Sequence, residues 1–208
     1  YVWQVGSVIV SSTEYYTVNV NESSVGDIIT CTVTAVDSDG EMSTSSTTET
    51  IINTVPTIDA LNITTGTGLY NDSTLTCVTI ITDPDEGLSP SIIWEVAGGV
   101  VGTGTTLDVA TTAGMPNDDV NCIVNVTDSN GGSASNNTMV TLLNRAPSTP
   151  SISISPSSPE EGVDSLTCSM DIASQDDDGH SISYTYQWEQ NGSPTGYSST
   201  TVPMNVLV

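Results

Sequence analysis

Acidic side chains in turn-like segments are the residues of this chain with the most evident chemistry. The candidates are Asp37, Asp39, Asp83, Asp85, Glu86, Asp128, Asn130, Asp176, Asp177 and Asp178. Carboxylate and amide oxygens are the hard ligands that Ca²⁺ takes, about six to eight at a time. The same residue types also populate turns, because they tolerate unusual backbone angles and hydrogen-bond to their own backbone. The residues alone therefore leave two interpretations open, a calcium site and plain turn chemistry.

Catalytic chemistry has little support in the sequence. The one histidine, His180, lies beside Asp178 and Gly179 in a predicted loop, and residues 56–147 contain no histidine. The chain has no nucleophile elbow, phosphate-binding loop or zinc motif. We therefore predict that the chain is not an enzyme and that His180 is a solvated loop residue.

Charge narrows the possible partners. The chain has 208 residues, with 25 acidic residues against a single basic side chain, Arg145, and a net charge of −24. Binding to nucleic acid or to an anionic membrane requires Lys and Arg, so the composition argues against both. No apolar run is long enough for membrane insertion in this segment. Such charge suits salt water or a medium rich in divalent cations, although secreted Ser/Thr-rich chains are often acidic without any cation role.

A block of sequence recurs every 91 residues. This offset separates Cys31 from Cys122, Cys77 from Cys168, Asn53 from Asn144, Pro56 from Pro147, Asp37 from Asp128, and Trp3 from Trp94. A fixed period of this size indicates an array of like domains. We predict the C-terminal part of one repeat over residues 1–55, a complete repeat over 56–147 and the N-terminal part of a third over 148–208. The simplest interpretation is a stretch cut from a longer repeat protein.

A second interpretation is a head-to-tail polymer. The part-domain at the C-terminal end of one chain would then be completed by the part-domain at the N-terminal end of the next. Residues 182–208 resemble residues 91–117, so they also match the start of the chain. A domain completed in this way would contain its Trp strand twice, and this overlap argues against the polymer.

The complete repeat has the pattern of an all-β fold. Residues 73–80, 91–96, 107–109, 120–126 and 135–143 are β-branched or alternate between apolar and polar residues. Segments rich in Asp, Asn, Gly and Pro separate them, such as Asp83–Gly87 and Asp128–Gly131. Long helical periodicity is missing. The segment Asn144–Pro147 is a predicted linker, because its proline ends strand pairing.

The spacing of cysteine and tryptophan resembles that of an immunoglobulin-like sandwich. Trp94 lies between Cys77 and Cys122, as a core tryptophan lies between the bridging cysteines of that fold. Val120 stands where antibody domains have the tyrosine corner, so the chain is more similar to the tandem immunoglobulin-like, PKD-like or cadherin-like repeats of bacterial and archaeal surface proteins. The motifs that carry this resemblance are Leu75-Thr76-Cys77, Leu166-Thr167-Cys168, Gln187–Gly192, Asp37–Gly40 and Asn53–Thr57.

The resemblance implies an all-β chain of tandem immunoglobulin-like β-sandwich domains in a linear array. It pairs Cys77 with Cys122 in an intradomain disulfide, while Cys31 and Cys168 would pair outside the visible domain or with each other across chains. Disulfides imply an oxidising, extracellular setting; the rival is a cytosolic protein with buried thiols. The resemblance also brings the acidic loops and the incoming linker to one end of each domain, where cadherin-like repeats hold cations. The resemblance thus implies Ca²⁺ as the candidate cofactor, and plain turn chemistry with no cofactor stays open as the alternative.

Glycosylation sequons are frequent in the chain. The acceptors are Asn21, Asn62, Asn71, Asn125 and Asn136, with a further sequon at Asn191 that Pro194 follows. Chance supplies several sequons in a chain this rich in Asn, Ser and Thr. They are candidates for modification if the source organism glycosylates its surface proteins.

These patterns favour a structural repeat segment of an extracellular surface filament, stalk or coat protein. Disulfides within domains, and calcium at the joints, would stiffen it. The expected partners are neighbouring copies of the same protein, with glycans or surface proteins as further partners. Two alternatives stay open: an adhesin or ligand-binding repeat array, and a non-catalytic spacer of a large secreted enzyme.

Overall fold

The computed structural model describes residues 1–204, and its regular structure is antiparallel strand with a single 3₁₀ turn. The all-β prediction is confirmed. Residues 205–208, which belong to the predicted domain 148–208, lie outside the described part of the chain. The chain divides into two compact units: residues 1–114 with 118–142, and residues 115–117 with the described residues from Leu143 onward. No helix among residues 1–204 is long and apolar enough to cross a membrane.

The first sheet is built from residues 2–50. Its strands are β1 (Val2–Val5), β2 (Val8–Ser11), β3 (Ile28–Val36) and β4 (Met42–Thr50), in the order β2-β1-β3-β4. Every residue of β4 is exposed, and Val5 is the one buried residue of the four strands. This sheet therefore has no buried core of its own.

Residues 57–141 form two further sheets. Their elements are β5 (Thr57–Thr65), β6 (Thr74–Thr82), β7 (Ser91–Val96), β8 (Gly99–Thr103), β9 (Thr106–Asp108), a 3₁₀ turn (Val109–Thr111), β10 (Asp119–Thr127) and β11 (Ser133–Thr141). One sheet has the order β5-β6-β9 and the other the order β11-β10-β7-β8. The strand β7 has the bounds that the sequence predicts, whereas β8 lies in a stretch for which the sequence predicts no strand.

The alternating pattern of these strands produces one core. Buried side chains from both sheets share a cluster of Leu75, Cys77, Ile92, Trp94, Val96, Leu107, Val109, Val120, Cys122, Val124 and Leu142. Trp94 is 0% exposed, and its indole N–H donates to the Gly104 carbonyl at 2.8 Å. Full burial of one such apolar side chain stabilises a fold by about 1.5–3 kcal/mol. A disulfide between Cys77 on β6 and Cys122 on β10 links the two sheets.

The second unit contains two small sheets. Its strands are β12 (Ser151–Ser155), β13 (Leu166–Ile172), β14 (Glu189–Gln190), β15 (Ser193–Pro194) and β16 (Thr201–Val202). One sheet has the order β12-β13-β16, and β14 and β15 pair alone. Trp188 is buried, and its indole N–H donates to the Ser199 carbonyl at 2.9 Å.

The 91-residue period is preserved in the strand register of the first sheet. Cys31 pairs with Trp3 on one side and with Thr47 on the other. Cys122 pairs with Trp94 and with Thr138 in the same way. The first sheet therefore repeats the strand order and register of β11-β10-β7-β8.

Candidate functional site: linker clamps and an acidic cluster

The segment of residues 51–56, which leads into β5, is held by two acidic loops of the following repeat. The backbone N–H of Thr54 donates to Asp85 Oδ2 at 2.6 Å, and Asn53 Nδ2 donates to Asp128 Oδ2 at 2.8 Å. Asp85 follows β6, and Asp128 follows β10. The linker thus contacts one loop from each of the two sheets. We call Asn53, Thr54, Asp85 and Asp128 the first clamp.

Internal hydrogen bonds hold these loops in shape. Asp83 Oδ1 accepts from the backbone N–H of Asp85 at 2.9 Å. The two loops are also tied together, because Glu86 Oε1 accepts from the backbone N–H of Ser129 at 2.6 Å. Asp83 and Glu86 therefore stabilise the loop conformations through backbone hydrogen bonds, which is one of the two roles that the sequence leaves open.

Asp128 is the most enclosed carboxylate of the first clamp, with 6% of its surface exposed. Its Oδ1 accepts from the backbone N–H groups of Asn130 at 2.9 Å and Gly132 at 2.7 Å. The hydrogen bond from Asn53 is the largest influence on the pKa of Asp128, and together with the hairpin amides it holds that pKa below its ordinary 3.8 in spite of burial. Asp128 therefore stays ionised at neutral pH.

Gly132 leaves room for the linker to approach the hairpin. A Cβ at this position would lie 2.3 Å from Asp128 Oδ2, 2.8 Å from Asn53 Nδ2 and 2.9 Å from Val55 Cγ1. Protein interiors are close-packed, so overlaps of this size force the neighbouring atoms to move. The residue one period earlier is Glu41, so the corresponding hairpin of the first sheet already carries a side chain at this position.

A second clamp, formed by Arg145 and Asp178, lies in the second unit. The backbone N–H of Arg145 donates to Asp178 Oδ2, and its Nε donates to Asp178 Oδ1 at 2.9 Å. The guanidinium also forms a salt bridge with Asp178 Oδ1 at 2.8 Å, and the side chain of Asp178 is 0% exposed. These contacts, the backbone hydrogen bond first, hold the pKa of Asp178 below its ordinary 3.8.

Both clamps use the same loop construction. Asp176 Oδ1 accepts from the backbone N–H of Asp178 at 2.9 Å, as Asp83 Oδ1 does from that of Asp85. In each case the second aspartate then accepts the backbone N–H of a linker residue, Thr54 or Arg145. Thr54 and Arg145 are separated by the repeat period of 91 residues. The contact is therefore a repeated feature of the chain.

The first clamp shares Asp128 with a cluster of three carboxylates. Asp83, Glu86 and Asp128 each offer an oxygen within 4.8 Å of the others, and no other such group of three occurs among residues 1–204. Asp83 Oδ2 and Asn53 Oδ1 are buried without a hydrogen-bond partner. A buried unsatisfied acceptor generally costs about 1–3 kcal/mol. Hard oxygens that lack donors fit a divalent cation such as Ca²⁺.

A cleft of about 320 Å³ lies beside this cluster. Valine side chains and acidic loop residues line it, among them Val18, Val20, Asp85, Glu86 and Asn130. Glu86 belongs to both the cleft and the carboxylate cluster. Solvent and small ions therefore have access to Glu86 of the cluster from this side.

The remaining acidic candidates make other contacts. Asp37 Oδ1 accepts from the backbone N–H groups of Asp39 and Glu41 at 3.0 and 2.9 Å, which is hairpin turn chemistry. The Asp177 carbonyl accepts from Arg145 at 3.1 Å. His180 is exposed, as expected.

The cysteines and sequons occupy distinct environments. Cys77 and Cys122 are bonded to each other, while Cys31 and Cys168 are free and partly exposed. Asn21, Asn62, Asn136 and Asn191 are exposed, whereas Asn71 and Asn125 are half-buried. Ser135 Oγ donates to Asn125 Oδ1 at 2.8 Å. The side-chain amide of this sequon is therefore hydrogen-bonded to the neighbouring strand β11.

The partners of the acidic residues are not evident from the sequence. Asn53, Thr54 and Gly132 have no metal-ligating pattern of their own, and Arg145 stands out only as the single basic side chain. The one available signal is that Asn53 recurs at Asn144, three residues before the linker proline in both copies.

Neither a protein-family model nor a curated protein sequence matches this chain.

Proposed function

We propose that this chain is a structural repeat segment of an extracellular surface filament, stalk or coat protein. Its repeats would be immunoglobulin-like β-sandwich domains in a linear array. The observation that carries this proposal is the repeated clamp, in which an aspartate accepts the backbone N–H of a linker residue at Thr54–Asp85 and again at Arg145–Asp178. A linker fastened at every repeat restricts bending, which is a mechanical property rather than a catalytic one.

The sandwich assignment has support from the complete repeat. Its two antiparallel sheets share one core, and the Cys77–Cys122 disulfide joins them beside the buried Trp94. This combination of cysteine bridge and core tryptophan is the pattern of immunoglobulin-like domains. In the chain-entropy model, a bridge that closes a loop of 45 residues stabilises the fold by roughly 3–4 kcal/mol.

Calcium is part of this proposal. The ion would be held by Asp83, Glu86 and Asp128, with Asn53 Oδ1 as a further oxygen from the linker. A cation at this position would join the linker to both acidic loops and would neutralise part of the local negative charge. This is the chemistry that Ca²⁺ contributes at an oxygen-rich site.

An extracellular location agrees with the disulfide, the exposed sequons and the charge. Disulfides persist in oxidising compartments. A net charge of −24 keeps neighbouring segments apart unless salt or divalent cations screen it.

Immunogold electron microscopy of the native cells, with an antibody raised against residues 56–147, tests the proposed function. We expect label along extended fibres or over a surface coat. Label found only in soluble secreted material would contradict the proposal and would favour a spacer of a secreted enzyme.

A further inference from the structure

Two asparagines of this chain are followed directly by glycine, and one of them lies beside the first clamp. The pairs are Asn130 with Gly131 and Asn191 with Gly192. An asparagine in such a pair reacts readily with the next backbone nitrogen, because glycine has no side chain to hinder the approach of the two groups. Asn130 and Gly131 belong to the tip of the hairpin between β10 and β11, and both are exposed. Water therefore reaches this pair.

Few contacts restrain the two reacting groups. Gly131 has φ +91°, and a Cβ at this position would meet nothing within 4 Å beyond its chain neighbours. Its backbone N–H donates to the Asp128 carbonyl at 3.3 Å, which is longer than the usual range of about 2.7–3.2 Å. The side-chain amide of Asn130 has no hydrogen-bond partner among residues 1–204. Little structure therefore has to open before the Gly131 nitrogen meets the Asn130 amide.

We propose that Asn130 and Gly131 are a site of spontaneous deamidation, and that the isoaspartate formed there loosens the first clamp. The Gly131 nitrogen bonds to Asn130 Cγ, the Cγ–Nδ2 bond breaks, and ammonia leaves with the proton of the Gly131 N–H. One water molecule then opens the resulting succinimide. Cleavage of the new Cγ–N bond gives aspartate, and cleavage of the original peptide C–N bond gives isoaspartate. The reaction needs only the hairpin and water, so it goes beyond the proposed function and does not rest on it.

The hairpin between β3 and β4 shows that aspartate is accommodated at this position. One period before Asn130 it has Asp39, followed by a glycine with φ +92°. The backbone N–H of Asp39 donates to Asp37 Oδ1 at 3.0 Å, as that of Asn130 donates to Asp128 Oδ1 at 2.9 Å. We therefore expect the aspartyl product to keep both the hairpin and the clamp.

Isoaspartate changes the hairpin, because the main chain then runs through the side-chain carbons and becomes one carbon longer. The added carbon lies between two N–H groups that Asp128 Oδ1 accepts, those of residue 130 at 2.9 Å and of Gly132 at 2.7 Å. The other oxygen of Asp128 accepts from Asn53 Nδ2 of the linker at 2.8 Å. A longer tip displaces these donors relative to each other, so Asp128 cannot keep all three hydrogen bonds.

The second pair supplies an internal reference. Asn191 and Gly192 connect β14 to β15, are exposed and have φ of +50° and +79°. Neither residue belongs to a clamp. Conversion of Asn191 therefore measures the reactivity of an exposed pair in the same molecule, without a change at the linker.

The test ages the full chain in mildly alkaline buffer and follows both pairs by peptide mapping, which separates aspartyl from isoaspartyl peptides. Ion exchange then isolates the forms of the protein, since each conversion replaces a neutral amide by a carboxylate. We expect Asn130 to give both products. The isoaspartyl form should melt a few degrees below the unmodified chain in the unit that contains the first clamp, as expected for the loss of hydrogen bonds to a charged group.

Two variants separate the change of charge from the change of backbone. Asn130→Asp introduces the carboxylate with a normal main chain, and it should melt as the unmodified chain does. Asn130→Gln has a longer side chain that closes a ring far less readily. This variant should stay intact at position 130 and keep its melting temperature on ageing, while Asn191 still converts.

Three results would overturn the inference. The first is an Asn130 that stays intact while Asn191 converts. The second is an isoaspartyl form that melts like the unmodified chain, and the third is an Asn130→Asp variant that loses as much stability as that form. These outcomes leave the immunogold result unaffected, so failure of the inference is distinguishable from failure of the proposed function.

Discussion

Both clamps hold their linker through the same backbone contact, but the negative charge of the acidic residues is balanced differently in each. At the first clamp the linker residue is Thr54, and Asp83, Glu86 and Asp128 gather next to it. At the second clamp Arg145 brings the only Lys or Arg side chain of the molecule to Asp178. One clamp carries its own cation, and we expect the other to take a cation from solution. In the array that we propose, repeats would therefore share the backbone contact and still differ in their response to ions.

Removal of the arginine charge should have the largest effect. Arg145→Met leaves the enclosed Asp178 without its counter-charge, which is strongly destabilising for a buried pair. We expect a clear fall in the melting temperature of the second unit by calorimetry. Arg145→Lys should recover part of the loss, because the charge returns without the planar guanidinium.

The matched control for this variant is Thr54→Met. It keeps the backbone donor of the first clamp and changes an exposed side chain, so a change within about 0.5 kcal/mol is expected. Equal losses of stability in Arg145→Met and Thr54→Met would mean that the charge difference between the clamps does not affect stability.

Calcium should stabilise the unit that contains the first clamp, through the carboxylates next to that clamp. At a hundredfold excess over its Kd, the ion should raise the melting temperature of the first unit by roughly 5–10 °C, and a chelator should reverse the shift. Asp83→Asn should abolish the shift, and Asp176→Asn should leave it intact. Calcium shifts of equal size in all three proteins would exclude the site at Asp83, Glu86 and Asp128.

Gly132→Ala should loosen the first clamp alone. The new Cβ overlaps Asp128 and Asn53, and overpacking of this kind costs about 1–3 kcal/mol. Denaturant unfolding measures the loss. Glu41→Ala, at the corresponding position of the first sheet, should have little effect. A stability of Gly132→Ala equal to that of the unmodified chain would show that the linker does not approach the hairpin closely in solution.

Mild acidification should have the smallest effect. The folded-state pKa of Asp128 lies below its ordinary 3.8, so this carboxylate stabilises the fold above that value and loses its contribution as the pH falls through the folded-state pKa. The difference in melting temperature between the unmodified chain and Asp128→Asn should stay constant from pH 7 to 5 and shrink below about pH 4. A difference that already disappears between pH 7 and 5 would contradict the hydrogen-bonded, ionised state of Asp128.

The strands could be predicted because their signal is local. Val120, Cys122, Val124 and Val126 alternate along β10, and all four are buried. The period of 91 residues also places Cys31 and Cys122 in equivalent registers. Alternation and repetition are properties of the chain itself, and they determine which side chains face the core.

The clamps could not be predicted to the same degree. The acidic loops are evident in the sequence, but the acceptor roles of Asp85 and Asp178 depend on backbone N–H groups that are 31 and 33 residues away. A backbone donor has no signature in sequence. Likewise, the need for glycine at position 132 arises from the approach of a distant linker rather than from the local backbone.

A distance measurement across the first clamp tests the central claim most directly. Spin labels at Thr47→Cys on β4 and Val100→Cys on β8, both exposed sites, report on the segment between them in a Cys31→Ser, Cys168→Ser background. We predict one narrow distance distribution by pulsed electron paramagnetic resonance, which Asp85→Ala broadens and the charge-matched Asp39→Ala leaves unchanged. A distribution that is equally broad with and without Asp85 would contradict a linker held in place by the acidic loop.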